Sequence, residues 1–224
     1  EPAAQLNPLT EAFLESCEAT GFPRHSALLD ASERVAAPFQ VNINHGRRWT
    51  TADASLRPAL RRGNLTVWTN VHVRRILCEG ARATGVEYTQ SSGIQTVAMT
   101  REVILCAGAV NSPHLLLLSG IGPKAQLEAL NLPVHADLSG VGHNLQDHLA
   151  APIAYFCLEP VSLSGASTLS HRWKHRILGT GPLASNGAEA GAVLKSETKL
   201  DACDLEILFS AGHYVDHGFA APGG

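Results

Sequence analysis

A continuous apolar run, Val103-Ile104-Leu105-Cys106-Ala107, leads straight into Gly108 and then, past Ala109-Val110-Asn111, into Ser112-Pro113-His114 and the leucines Leu115 to Leu118. Such a run without alternation reads as a strand buried on both faces, as in a parallel sheet covered by helices. Ser112 is a good N-cap. Pro113 suits the first helical position, because a helix leaves the N–H that proline lacks unpaired there anyway. The spacing predicts a helix from Pro113 that stops at Gly120. Strand, glycine turn and helix in that order are the local grammar of a nucleotide-binding α/β domain.

Upstream the period changes to two. Leu65, Val67, Thr69, Val71 and Val73 alternate with Thr66, Trp68, Asn70 and His72. Glu79-Gly80 marks a turn, Thr84 to Tyr88 reads as the next strand, and Ser91-Ser92-Gly93 turns the chain into Ile94 to Ala98, which makes a β-meander. Nearer the start, Leu9, Phe13 and Cys17 recur at helical spacing, with Thr10 placed to cap and Gly21 to stop a helix over 8–20. Lys124 to Leu130 reads as a short helix closed by Asn131 and Pro133. Beyond Ala150, the pieces Ala190 to Leu194 and Leu205 to Ser210 predict an antiparallel sheet.

Composition narrows the function classes. With 224 residues, 45% apolar and 17% charged, the chain has enough sequence for one large or two small domains with a real core. A net charge of -3 gives no global attraction to nucleic acid or anionic lipid, and the aliphatic run Leu115 to Leu118 is far too short for a membrane span. Five scattered cysteines without a CxxC pair predict neither a disulfide framework nor a zinc site, and a reducing, cytoplasmic location is expected. No signal peptide is visible. A start at Glu1 with Met99 as the only methionine reads as a piece of a longer protein. Between Gly46 and Arg82 eight arginines (47, 48, 57, 61, 62, 74, 75 and 82) face only Asp53 and Glu79. That stretch reads equally as solvated faces or as the neighbourhood of an anion.

Three motifs invite over-reading. Gly120-Ile121-Gly122-Pro123-Lys124-Ala125 has the form G-x-G-x-x-A, but its glycines follow a helix rather than a strand, and the acidic Asp137 lies beyond Pro133, which disfavours a dinucleotide fingerprint. His171 with His175, and His213 with His217, have the i, i+4 spacing of helical metal ligands. The first pair sits among Arg172, Lys174 and Arg176 and the second lacks a nearby cysteine, so both read as solvated and no metal site is assigned. Asp147-His148 has no serine in a G-x-S-x-G turn to serve, and Asn144 to His148 reads as a structural turn.

Read whole, Arg101 to Pro123 followed by Leu138-Ser139-Gly140-Val141-Gly142-His143-Asn144-Leu145-Gln146-Asp147-His148 resembles the second signature of the glucose–methanol–choline (GMC) oxidoreductases, flavoenzymes that oxidise alcohols. Gly108, Ala109, Ser112, Pro113, Leu116, Leu117, Ser119, Gly120, Ile121 and Gly122 stand where that signature requires them. The likeness extends upstream through Gly46-Arg47-Arg48, Arg62 to Val67 and Ala83 to Tyr88, and downstream through Gly181 to Gly187, weakening after Leu194.

The resemblance implies an α/β chain (α+β overall). It would comprise a connecting or substrate-domain segment at 1–44, a Rossmann-like FAD-binding portion with β-meander at 45–148, and an incomplete antiparallel-sheet substrate domain at 149–224. It implies FAD as cofactor. Backbone atoms of Val73 would pair with the adenine edge, and Ala107-Gly108 would lie against the adenosine. Strand backbone supplies the donor and acceptor that an adenine edge needs, and a glycine lets main chain approach closely. The activity implied is oxidation of a choline-like, aliphatic or aryl alcohol by hydride transfer to flavin, with oxygen or a quinone as acceptor. Neither the G-x-G-x-x-G pyrophosphate cradle nor the segment with the family's catalytic histidine is present, so no catalytic residue is assigned and the chain alone is expected to be inactive. Two other readings stand beside it. A nicotinamide-dependent dehydrogenase domain on Gly120-x-Gly122 would bind NAD without flavin, and a non-catalytic α/β interaction module would bind neither.

Overall fold

Small residues dominate two strands of the first sheet, Val35–Pro38 and Ala188–Leu194, and their size lets a helix lie close against it. The computed structural model describes residues 6–28, 33–163 and 166–212. It divides into one unit formed by Glu1–Asn64 with Ala151–Gly224 and a second formed by Leu65–Ala150. In chain order the elements are α1 (Pro8–Ala19), β1 (Val35–Pro38), β2 (Ile43–Asn44), β3 (Arg47–Arg48), a π-turn Ala52–Leu56 running into α2 (Arg57–Leu60), β4 (His72–Glu79), β5 (Arg82–Gln90) and β6 (Gly93–Ala98). There follow α3 (Gly108–Leu118), β7 (Ile121–Gly122), α4 (Lys124–Ala129), β8 (Ala136–Asp137), α5 (Leu169–Leu178), β9 (Ala188–Leu194) and β10 (Leu205–Ser210).

In the first unit, β9 runs between β1 and β10, antiparallel to both, the antiparallel sheet predicted from the sequence. Leu14 and Cys17 of α1 pack on Ala36, Ala190 and Ala192 of the sheet, and Phe13 stacks on Phe209 with ring centroids 4.7 Å apart. Burial pushes the Cys17 thiol above its ordinary pKa because the thiolate is disfavoured away from water. The helix lies where the spacing places it, but its cap differs. Pro8 occupies the first helical position and Asn7 is the cap, its side chain accepting from the Leu9 amide at 2.9 Å. Thr10, predicted to cap, is instead fully buried and donates to Glu189 Oε2 at 2.8 Å.

The second unit contains the meander, with β5 between β4 and β6, all antiparallel. Its first strand begins at His72, not Leu65. Asn70 adopts a left-handed φ of 57°, which breaks the extended chain, and Leu65, Val67 and Trp68 are exposed. The predicted buried strand Val103–Ala107 is likewise not a strand, and Ile104 is 75% exposed. A strand exists only by pairing, and among the described residues no ladder forms with this segment. The helix behind it begins at Gly108 rather than Pro113, which lies inside α3. Gly108, with φ 85°, turns the chain into the helix directly, so a cap at Ser112 is not needed. Of the described helices, none is long and apolar enough to cross a membrane.

Candidate cofactor site

Val73 lies on β4, which has β5 on one side and, among the described residues, no strand on the other. It is registered opposite Tyr88, with an irregularity between Val73 and Arg75. The Tyr88 ring is buried, stands 5.3 Å from the Trp68 ring, and its hydroxyl donates to Gln95 Oε1 at 2.8 Å. Arg74 and Arg75 both bridge to Glu87 on β5, at 3.3 and 2.9 Å. The hydrogen bond from Arg75, aided by the charge of Arg74, holds the Glu87 carboxyl below the usual carboxylate range. Arg57 pairs with Asp53 at 2.8 Å, so part of the arginine-rich stretch is spent on protein carboxylates.

Ala107 is the N-terminal cap of α3 and Gly108 its first residue. Among the described residues no atom lies within 4 Å of a Cβ placed on Gly108, so its positive φ, not crowding, calls for glycine there. The helix that opens at Gly108, α3, packs against β4, the strand that carries Val73, within the same unit. Strand backbone and a glycine without Cβ are groups an adenosine moiety uses.

Ser119 stands in the family signature, but the sequence assigns its side chain no role. It is only 3% exposed; its hydroxyl accepts the Ile76 amide of β4 at 2.8 Å and donates to the Leu115 carbonyl of α3. A lone hydroxyl directly after four leucines was the available signal. The glycines that follow serve packing. At Gly120 a Cβ would come 2.5 Å from the Pro133 carbonyl oxygen, and its own carbonyl accepts the His135 amide at 2.8 Å. Gly122 pairs in parallel with Asp137, whose carboxylate accepts the first amide of the six-residue α4, Lys124 N, at 2.9 Å. The acidic residue that a dinucleotide fingerprint would turn toward a ribose is engaged in capping this helix.

The first unit holds a cleft of about 510 Å³ lined by residues that include Asn42, Arg47, Arg48, His175, Ser185 and Asn186. His175 Nε2 lies 2.7 Å from the Gly46 carbonyl oxygen, tying α5 to the β2–β3 turn. Behind the cleft, Glu189 is 2% exposed and accepts from the Asn7 amide, the Thr10 hydroxyl and the Ser185 hydroxyl at 2.7, 2.8 and 2.6 Å. Three donors on one carboxylate satisfy it without a cation. His171 and His175 share α5, and no group of three or more potential metal ligands forms among the described residues. His213 and His217 lie outside those residues. Asp147 Oδ1 accepts the amide of His148 at 2.8 Å in an exposed segment.

The GMC oxidoreductase profile matches residues 1–150, and the chain belongs to that family, whose cofactor is FAD. It is 36% identical over 218 residues to the mitochondrial choline dehydrogenase of Homo sapiens, covering 95% of this chain and 36% of that protein. It is 38% identical over 207 residues to the oxygen-dependent choline dehydrogenase of Brucella anthropi, covering 91% and 38%. Its fold matches pyridoxine 4-oxidase from Mesorbium loti with a TM-score of 0.74 at 31% identity, over 94% of this chain and 38% of that one. An FAD-dependent oxidoreductase from Chaetomium thermophilum matches with the same TM-score at 26% identity, over 84% and 35%. The chain spans little more than a third of the length of these relatives.

Proposed function

We propose that these residues form part of an FAD-dependent enzyme that oxidises the CH–OH group of a small alcohol. The observation that carries this reading is Gly108, left-handed and open-faced, entering α3 in the unit that holds edge strand β4. Bound FAD would take the hydride from the carbon bearing the hydroxyl. This chain's share is to bind and orient. The main chain at Val73 recognises the adenine edge, and Ala107-Gly108 admit the adenosine without a Cβ in the way. Family enzymes take the hydroxyl proton with a histidine outside the region matched here, so the proposed activity belongs to a longer polypeptide. The FAD-domain portion is proposed at 45–148, a range that takes in most of the Leu65–Ala150 unit, and the flanks 1–44 and 149–224 are proposed to contribute to the substrate domain.

Two relatives are choline dehydrogenases at 36% and 38% identity, which supports a choline-like alcohol as the first substrate to test, ahead of aliphatic and aryl alcohols. Anaerobic mixing of the full-length flavoprotein with choline, butanol or benzyl alcohol tests the activity. Bleaching of the oxidised flavin band by at least one is expected, and reoxidation by oxygen against a soluble quinone identifies the acceptor. A flavin band that no alcohol bleaches would contradict the reading.

A further inference from the structure

We propose that Ser119 is a positioning residue for the cofactor, a buried hydroxyl that sets edge strand β4 against α3 and so holds the adenine-pairing and adenosine-facing main chain in register. The inference rests on the FAD reading above. A serine hydroxyl has one proton to give and lone pairs to accept with, and both capacities are used here, toward two different elements. The oxygen accepts the Ile76 amide at 2.8 Å, and its proton goes to the Leu115 carbonyl. Ile76 is itself buried. It sits on the strand that carries Val73, and α3 is the helix that opens at Gly108.

Ser119 lies just past the end of α3 opposite Gly108, about 16 Å along the helix axis, so it does not touch adenosine. Its influence is through the spacing of the two elements. Removing the hydroxyl leaves a buried amide unpaired on β4, and the strand edge then samples arrangements that do not match the cofactor. Apparent affinity falls by the fraction of molecules still competent to bind. A bolt serving stability alone would lower the melting temperature and leave the affinity of the surviving folded protein unchanged.

The test titrates FAD into the apo form of the full-length protein by flavin fluorescence and follows exchange of the Ile76 amide with deuterium. Ser119→Ala is expected to raise the FAD Kd about tenfold, and Ser119→Thr, which keeps the hydroxyl, to stay within about threefold of wild type. Faster Ile76 exchange in Ser119→Ala with an unchanged Kd would overturn the proposal. Gly108→Leu separates the two failures. If it binds FAD normally, the adenosine reading itself fails; if it loses FAD while Ser119→Ala does not, only the positioning role fails. Should Ser119→Ala not accumulate as folded protein, wild type decides. FAD at a hundred times Kd is expected to slow Ile76 exchange about 100-fold, and an unchanged rate would overturn the proposal.

Discussion

Gly108→Leu in the full-length flavoprotein is expected to weaken FAD binding by roughly 5- to 150-fold, the equivalent of about 1–3 kcal/mol for overfilling a tight site. The structure separates two costs. A leucine at φ 85° carries backbone strain of about 1–2 kcal/mol in the folded protein with or without FAD, and because unfolding relieves it a melting curve of the apo form reads that cost. Its Cβ meets no protein atom within 4 Å, so any further loss on FAD titration reports the occupant of that space. Val73→Ala is the matched control. The proposed contact uses its backbone, and its side chain is already partly exposed, so its FAD affinity is expected to stay within about threefold of wild type. An affinity order in which Val73→Ala is the more damaged variant would reverse the assignment.

The isolated 224-residue chain is expected to hold no flavin and oxidise no alcohol. What it offers FAD is one strand edge and one glycine turn. A small set of contacts does not offset the loss of translational and rotational freedom on association, which costs at least about 4 kcal/mol. Incubation with FAD, desalting and a visible spectrum check this. A stoichiometric flavin band after desalting, or turnover of any alcohol, would contradict it.

Where the determinants of an element are local, the sequence is a good guide. α1 follows from the spacing of Leu9, Phe13 and Cys17, and the turns after Glu79 and Gln90 follow from Gly80 and Gly93. Where they are not, pattern alone misleads. Val103 to Ala107 has the composition of a buried strand, yet burial and pairing depend on what lies alongside, and among the described residues nothing pairs with it. The alternation from Leu65 is real, but a single left-handed residue, Asn70, delays the strand. Val73, Ala107 and Gly108 are assigned to the proposed site only through likeness to a family. Neither periodicity nor spacing marks a strand residue whose use lies in its backbone. The bonding of Ser119 and Glu189 is not legible in the sequence because their partners are far away in it, Ile76 in one case and Asn7 and Thr10 in the other.

Photolabelling of the full-length protein with an 8-azidoadenine analogue of FAD, followed by peptide mapping, tests most directly that the adenine end of the cofactor lies against this chain. The nitrene is generated on the adenine ring itself and marks what that ring touches. Labelled peptides containing β4 around Val73 and the Ala107–Gly108 turn, suppressed by excess FAD, are the expected result. FAD-protected label confined to peptides without either segment, such as those bearing Arg47, Arg48 and His175 of the cleft, would contradict it.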